Sequence, residues 1–126
     1  MNKAILTGNL GGDPELKVLQ NGNKVAKFSL AVTEKYKDAS GQTVSDTTWF
    51  SCEAWNRLAE VISQYLKKGS KVMVEGKFKL EKWQDEQNQP KIKYIVKVSA
   101  LEMLSKADGS KPETEEVSEN DDDLPF

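Results

Sequence analysis

The residues best suited to chemistry in this sequence lie between positions 47 and 55. If this stretch is a β-strand, successive side chains point to opposite faces. One face would carry Trp49, Ser51, Glu53 and Trp55. The other would carry Phe50, Cys52 and Ala54, which are apolar and suit a core. A buried face rarely combines two indoles with a carboxylate and a hydroxyl. The pattern is typical of a surface that meets both water and flat aromatic ligands.

Groups for catalysis or metal binding are scarce. The sequence has no histidine and a single cysteine, Cys52. Histidine is the commonest general base and metal ligand, and one thiol can form neither a zinc cluster nor an internal disulfide. A thiol on the apolar side of a strand is expected to be packed and reduced, as in the cytosol. We therefore expect no catalytic residue, metal or cofactor, although an enzyme such as a nuclease remains the alternative from another class.

Charge divides the chain into two parts. Residues 1–104 carry 16 Lys and Arg against 12 Asp and Glu, whereas residues 105–126 carry 2 against 8. The first part has the length and apolar content of one domain. The second has too few apolar residues to offset its ordering entropy, so we expect it to be disordered. No leader and no apolar run of about 20 residues is visible, so we expect a cytoplasmic protein without membrane insertion.

The apolar pattern of residues 1–104 predicts five strands and one helix. The strands are expected over 2–8 (resumed at 16–19), 25–36, 47–55, 71–83 and 91–98, and the helix from an Asn56 N-cap to a stop at Gly69. The expected inward residues are Ala26, Phe28, Leu30, Val32, Leu58, Val61, Ile62, Tyr65, Leu66, Val72, Val74, Phe78, Leu80, Ile92, Tyr94, Val96 and Val98. Gly76 falls among them, where a bend or a close backbone approach is expected. An all-β chain with one helix between its third and fourth strands has the element order of the OB-fold, a five-stranded barrel.

Aromatic and basic residues share the outward face of this barrel. By alternation that face carries Trp49, Trp55 and Trp83 with Lys77, Lys79, Lys91 and Lys93. Tyr36 has core parity and reaches the outer face only through a bulge or a strand end. Aromatic rings stack on any base for about 1–3 kcal/mol, and lysines neutralise phosphates. The pattern indicates single-stranded nucleic-acid binding. Burial of the rings in an oligomer interface is the structural alternative, and an RNA-binding OB module is the functional one.

The last six residues differ from the acidic segment before them. Asp121, Asp122 and Asp123 are followed by Leu124, Pro125 and Phe126. Acidic residues alone would act as a solubiliser, but an apolar tip works against that role. A short apolar segment beside acids suits docking into a basic-rimmed pocket of a partner protein.

Three segments together resemble the bacterial single-stranded DNA-binding proteins. They are NKAILTGNLGGDPE, NRLAEVISQYLKKGSKVMVEGK and the terminal DDDLPF. The resemblance implies an OB-fold homotetramer over residues 1–104 that binds single-stranded DNA without reading sequence. It also implies work in replication, recombination and repair at the nucleoid, with residues 121–126 recruiting partner proteins.

The resemblance also assigns roles to individual residues. The implied stacking residues are Tyr36, Trp49, Trp55 and Trp83. The implied phosphate contacts are Lys3, Arg57, Lys67, Lys68, Lys79 and Lys82, to which the outward pattern adds Lys91 and Lys93. The implied subunit contacts are Phe50, Met73 and Glu75. Glu81 stands where a basic residue is expected, which predicts one phosphate contact fewer.

Overall fold

The barrel predicted from the sequence is present. The computed structural model describes residues 1–104 and 115–118. Its elements are β1 (Ala4–Leu10), β2 (Glu15–Val18), β3 (Lys24–Lys37), β4 (Thr43–Trp55), α1 (Asn56–Tyr65), β5 (Lys71–Gln84), β6 (Pro90–Met103) and β7 (Glu115–Ser118). The strand order is β1-β5-β6-β4-β3-β2, and β1 also pairs with β3, which closes the barrel. Because β1 and β2 are two parts of the predicted first strand, the five-stranded OB-fold with its helix between the third and fourth strands is confirmed.

Gly76 marks the bend at which β5 leaves the barrel. The register between β5 and β6 shifts between Glu75 and Gly76. A Cβ at Gly76 would lie 2.2 Å from the carbonyl oxygen of Lys97, so only glycine allows the two backbones to come this close. The predicted close approach is confirmed. Beyond it, the two strands continue as a projecting hairpin, residues 79–94, which we call the β5–β6 arm.

The helix is shorter than predicted and begins differently. It ends at Tyr65, and Leu66 continues in an extended conformation. The predicted stop at Gly69 is therefore wrong: this glycine, with φ of +91°, belongs to the turn after the helix. Leu66, the first residue after the helix, is buried in the core, whereas Tyr65 is exposed. The predicted burial of Tyr65 is therefore also wrong. The N-cap is Trp55, and the Asn56 side chain instead accepts a hydrogen bond from the Lys24 backbone N–H at 3.1 Å.

The core follows the predicted alternation within the barrel but not on the arm. Among the largest fully buried side chains are Leu30, Leu58, Ile62, Val72, Val74, Val96, Val98 and Leu101. On the arm, Leu80 pairs with Tyr94 and Lys82 with Ile92, so the strand alternation persists. The predicted burial of Phe78, Leu80, Ile92 and Tyr94 is nevertheless wrong. The last three lie on the arm, which extends past the barrel, and Phe78 lies just before it; all four are exposed.

Both hairpin arms end in the same kind of loop, where the sequence suggests only polar, flexible connections. Asp38 accepts hydrogen bonds from the backbone N–H groups of Ser40 and Gln42 at 2.9 and 3.0 Å. Asp85 accepts equivalent bonds from Gln87 and Gln89 at 2.9 and 2.8 Å. The Ser40 hydroxyl, followed by the Gln42 backbone N–H, holds the pKa of Asp38 below its ordinary value of 3.8. These aspartates organise both tips.

Part of the acidic segment is a strand, where the sequence predicts disorder. Residues 115–118 form β7, which pairs antiparallel with residues 100–103 of β6. An open strand edge satisfies its backbone groups by pairing with further chain, and this pairing depends little on composition. The predicted docking tip, residues 121–126, lies outside the described residues. No helix in the described part of the chain is both long and apolar enough to cross a membrane.

Candidate nucleic-acid interface

An open groove runs across one face of the barrel. Its volume is about 340 Å³. It lies between the turn after β1, the outward side of β3 and β4, and the base of the β5–β6 arm. Its lining includes Gly11, Gly12, Asp13, Glu15, Lys27, Ser29, Ser51, Glu53, Glu81, Lys93 and Ile95. The groove is therefore polar and carries carboxylates as well as lysines, whereas the three tryptophans lie around it.

Trp49 lies at the rim of this groove. Trp49 is 62% exposed, on the side that the alternation predicts. A Cβ on Gly11 would come within 2.4 Å of its Cζ3 atom, so the ring packs directly on the Gly11 backbone. The six-membered part of the indole thereby contacts the turn, while much of the residue remains open to solvent. This geometry makes Trp49 a platform on which a planar ligand can stack.

Trp55 lies at the end of β4 and is partly buried. Its indole Nε1 donates a hydrogen bond to Glu53 Oε1 at 3.2 Å. Glu53 lies on the outward side of the strand as predicted, but the expectation of an exposed carboxylate there is wrong, because the side chain is only 4% exposed. Alternation predicts which side a residue faces, and neighbouring elements then decide whether water reaches it.

Trp83 is on the β5–β6 arm and is 46% exposed. It pairs across the strands with Lys91, and Glu81, two residues before it, pairs with Lys93. Because cross-strand partners share a face, Trp83 lies on the same side of the arm as the two groove-lining residues Glu81 and Lys93. The arm thus carries an indole, with Lys91 and Lys93 beside it, along the continuation of the groove.

Tyr36 is placed differently from the three tryptophans. Strand β3 runs without interruption to Lys37, and Tyr36 pairs in regular register with Val44. It therefore keeps core parity, on the face opposite Trp49, and it is 53% exposed because the hairpin has left the barrel there. No bulge brings it to the outer face. The structure does not bring Tyr36 together with the tryptophans around the groove.

The predicted phosphate contacts fall into separate groups. Lys79, Lys91 and Lys93 share the Trp83 face of the arm. Lys82 lies on the reverse face, beside Ile92. The 67–68 turn is near the groove, because the Lys68 backbone N–H donates to groove-lining Asp13 at 2.9 Å.

Two of the lysines on the arm are paired with acids, and the remaining two predicted cations lie elsewhere. Lys93 lies 3.9 Å from Glu81, and Lys91 lies 4.0 Å from Asp85. The pairs of Lys91 and Lys93 are long and exposed, and such pairs are weak, so these two lysines remain available to phosphates.

Arg57 is exposed in the first turn of α1. Lys3 forms an ion pair with Glu75 at 2.7 Å, in a second groove lined also by Lys77 and Lys97.

The predicted subunit contacts also divide. Met73 and Glu75 line a shallow hollow of about 210 Å³ on the outer face of β1, β5 and β6. Exposed Ile5 lies on the same hollow. Phe50, in contrast, is partly buried and packs against the hydrophobic core. Of the three, Met73 and Glu75 are brought together.

Sequence reasoning missed several groove residues. Lys27 and Ser29 lie opposite Glu53 and Ser51 on β3, on the side that carries Trp49, and their alternation already indicated this. Gly11 and Asp13 lie in a stretch interpreted only as a turn. Local sequence does not indicate that this turn folds back against the groove.

The described residues give little support for a reactive thiol or a metal site. Burial raises the pKa of the Cys52 thiol to about 12, which leaves it protonated and unreactive at neutral pH. Within residues 1–104 and 115–118, no group of three His, Cys, Asp or Glu is placed to hold a metal ion. The geometry that stands out is a polar groove with indoles and lysines around it, on an OB-fold. Such a module binds extended polymers that offer flat rings and negative charge.

Comparison with known proteins agrees with that class. The model of the single-strand binding protein family matches residues 1–104. Single-stranded DNA-binding protein 1 of Chlorobaculum tepidum is 40% identical over 103 residues, which are 82% of this chain and 63% of that relative. The chain thus spans less than two thirds of the length of this relative. The family match covers most of the sequence, and the chain belongs to the single-strand binding protein family.

Solved structures give the same fold. A Plasmodium falciparum SSB in complex with ssDNA superposes with a TM-score of 0.75 at 34% identity, covering 83% of this chain and 96% of that one. A deletion mutant of the single-stranded DNA binding protein from Thermus aquaticus gives a TM-score of 0.73 at 24% identity, covering 83% and 51%. The second likeness supports the fold alone.

Proposed function

We propose that this chain binds single-stranded DNA with little regard to sequence and protects exposed strands during replication, recombination and repair. The observation that carries the proposal is the placement of three tryptophans, Trp49, Trp55 and Trp83, around one groove flanked by lysines. Stacking accepts every base because each has a flat π-face, and lysines attract the phosphates that every nucleotide carries. Family membership supports the same ligand.

The groove suggests how a strand lies on this surface. Asp13, Glu15, Glu53 and Glu81 place four carboxylates along the groove against two lysines, Lys27 and Lys93, whereas Lys91 lies further out on the arm beside Trp83. Carboxylates repel phosphates, so the bases rather than the backbone should face the groove. Phosphates then follow the lysine-bearing face of the arm. In this arrangement the protein binds the flat faces of the bases and the charged phosphates, and neither contact depends on which base is present.

Substitution of the indoles tests the site. Trp49→Ala and Trp83→Ala should each weaken binding of oligo(dT) by about 1–3 kcal/mol, with the molecular mass unchanged in light scattering. Tyr65→Ala is the matched control, because Tyr65 is an exposed aromatic on α1, outside the groove. Unchanged affinity in both tryptophan variants would refute the stacking site. A loss of assembly would instead assign the rings to an interface.

Two measurements separate this function from its alternatives. A competition titration with matched DNA and RNA strands should favour DNA, and equal affinity would support an RNA-binding module. Incubation of labelled DNA with the protein and magnesium should leave the strand intact, since we propose a binding protein without catalytic activity. Cleavage that copurifies with the protein and is lost in a groove variant would support the nuclease.

We also propose that the chain forms a homotetramer and recruits partner proteins. The hollow with Ile5, Met73 and Glu75 offers an apolar outer face for a subunit contact, and Met73→Lys should lower the mass in light scattering. The acidic and apolar segment 121–126 has the composition of a docking peptide. Removing residues 124–126 should abolish capture of replication and repair proteins and leave oligo(dT) affinity nearly unchanged. A large loss of DNA affinity would contradict the docking role.

A further inference from the structure

Glu53 combines two features that are seldom found together. It lies on the groove side of β4, yet its side chain is only 4% exposed. Burying a carboxylate is costly unless hydrogen bonds compensate for the lost water. Its Oε1 atom accepts the indole N–H of Trp55 at 3.2 Å. The buried charge is thus linked directly to one of the three rings around the groove.

This hydrogen bond constrains the orientation of the Trp55 ring. An indole has a single donor, and its N–H bond lies in the plane of the ring. An acceptor held at that edge therefore restricts rotation of the ring about its Cβ–Cγ bond. The backbone is held as well, because Trp55 pairs with Val25 and the next residue, Asn56, accepts a bond from Lys24. Both ends of the side chain are fixed.

We propose that Glu53 is a positioning residue, which holds the Trp55 ring in the orientation needed for stacking and does not itself contact DNA. This inference rests on the proposed function, in which Trp55 stacks on a base. A side chain that is already ordered loses less entropy when the ligand binds. The negative charge of Glu53 opposes phosphate binding, so any favourable contribution must come from its role as an acceptor.

Two substitutions separate the acceptor from the charge. Glu53→Gln and Glu53→Leu both remove the negative charge, but only glutamine keeps an oxygen that can accept the indole N–H. The Leu variant should bind oligo(dT) about three- to tenfold more weakly than the Gln variant. Thermal unfolding and light scattering establish that both variants are folded and assembled. Equal affinities of the two folded variants would overturn the proposal.

The same two substitutions of Glu53, made in a variant that lacks the indole N–H, test whether Glu53 acts through Trp55. Trp55→Phe keeps an aromatic ring but removes the N–H group. In that background Glu53→Gln and Glu53→Leu should bind oligo(dT) equally. A difference that persists there would mean that residue 53 contacts the DNA directly, and the positioning role would be wrong.

A measurement without DNA keeps this test independent of the proposed function. Replacing Trp49 and Trp83 with Phe leaves Trp55 as the single emitting indole. Glu53→Leu should then increase its fast fluorescence depolarisation, whereas Glu53→Gln should not. Unchanged depolarisation in the Leu variant would overturn the inference even if the unsubstituted chain binds DNA. Failure of the unsubstituted chain to bind oligo(dT) would instead overturn the proposed function.

Discussion

Replacing Gly11 with alanine tests whether the Trp49 ring is held in place by the turn beneath it. The added Cβ would lie 2.4 Å from Cζ3 and 3.0 Å from Cη2 of the indole. Carbon atoms in contact are about 3.5–4.0 Å apart, so the ring must move by about 1 Å. The backbone is no obstacle, because Gly11 does not have a positive φ. The perturbation is therefore confined to the ring.

The size of the effect follows from the geometry. Turning a side chain by about 30° from its rotamer costs about 0.5–1.5 kcal/mol, and a lost stack costs about 1–3 kcal/mol. Because the Trp49 ring can shift into solvent to avoid the new Cβ, it should lose only part of its stacking on a base. We expect oligo(dT) affinity to fall about tenfold, or about 1.4 kcal/mol. Unfolding should change little, since alanine also restricts the unfolded chain.

Gly12→Ala provides the matched control for this experiment. Apart from its chain neighbours, no atom of the described residues lies within 4 Å of the Cβ that would be added at Gly12, which is the next residue in the same turn and also lines the groove. Titration of both variants by fluorescence anisotropy should show a loss for Gly11→Ala alone. In a Trp49→Ala background, Gly11→Ala should cause no further loss. Wild-type affinity in Gly11→Ala, or an equal loss in Gly12→Ala, would refute the reasoning.

Three further predictions concern other parts of the barrel. Gly76→Ala should destabilise the fold by about 2–4 kcal/mol in denaturant titrations, because its Cβ would meet the Lys97 carbonyl at 2.2 Å. The pKa of Asp38 is lowered in the folded protein, so this carboxylate stabilises the loop above its ordinary pKa of 3.8 and stops doing so as the pH falls through the folded-state pKa. Amide exchange in the loop should therefore accelerate in acid. An exchange rate that does not respond to this loss would contradict the prediction. Lys91→Ala should flatten the salt dependence of oligo(dT) affinity by about 1 in slope, whereas Lys82→Ala, on the reverse face of the arm, should not.

The barrel could be predicted because its pattern is local. Alternation on β3 correctly assigns Ala26, Phe28 and Leu30 to the core, since inside the barrel every inward position meets another strand or the helix. The same rule fails for Ile92 and Tyr94. Their parity is correct, but no second layer from the described residues covers the arm at that point. Alternation gives the face of a residue, whereas burial depends on how far each hairpin extends beyond the barrel.

The groove was only partly predictable for a related reason. Trp49, Trp55 and Trp83 follow from strand parity and residue type. The Gly11–Trp49 contact depends on residues 38 positions apart in sequence, and no local pattern indicates it. The burial of Glu53 likewise depends on packing around the groove. Packing of this kind decides how the Trp49 and Trp55 rings are held.

The three tryptophans are held with different degrees of freedom, which bears on how the surface binds. Trp55 is restrained by a hydrogen bond to Glu53, Trp49 by packing on Gly11, and Trp83 lies on a projecting arm. A restrained ring binds a base at low entropic cost but in one geometry, whereas a ring on an arm can follow the strand. A binder that must accept any sequence benefits from both, because purines and pyrimidines differ in size. We therefore expect the fixed rings to supply much of the affinity and the arm to accommodate differences in the bases.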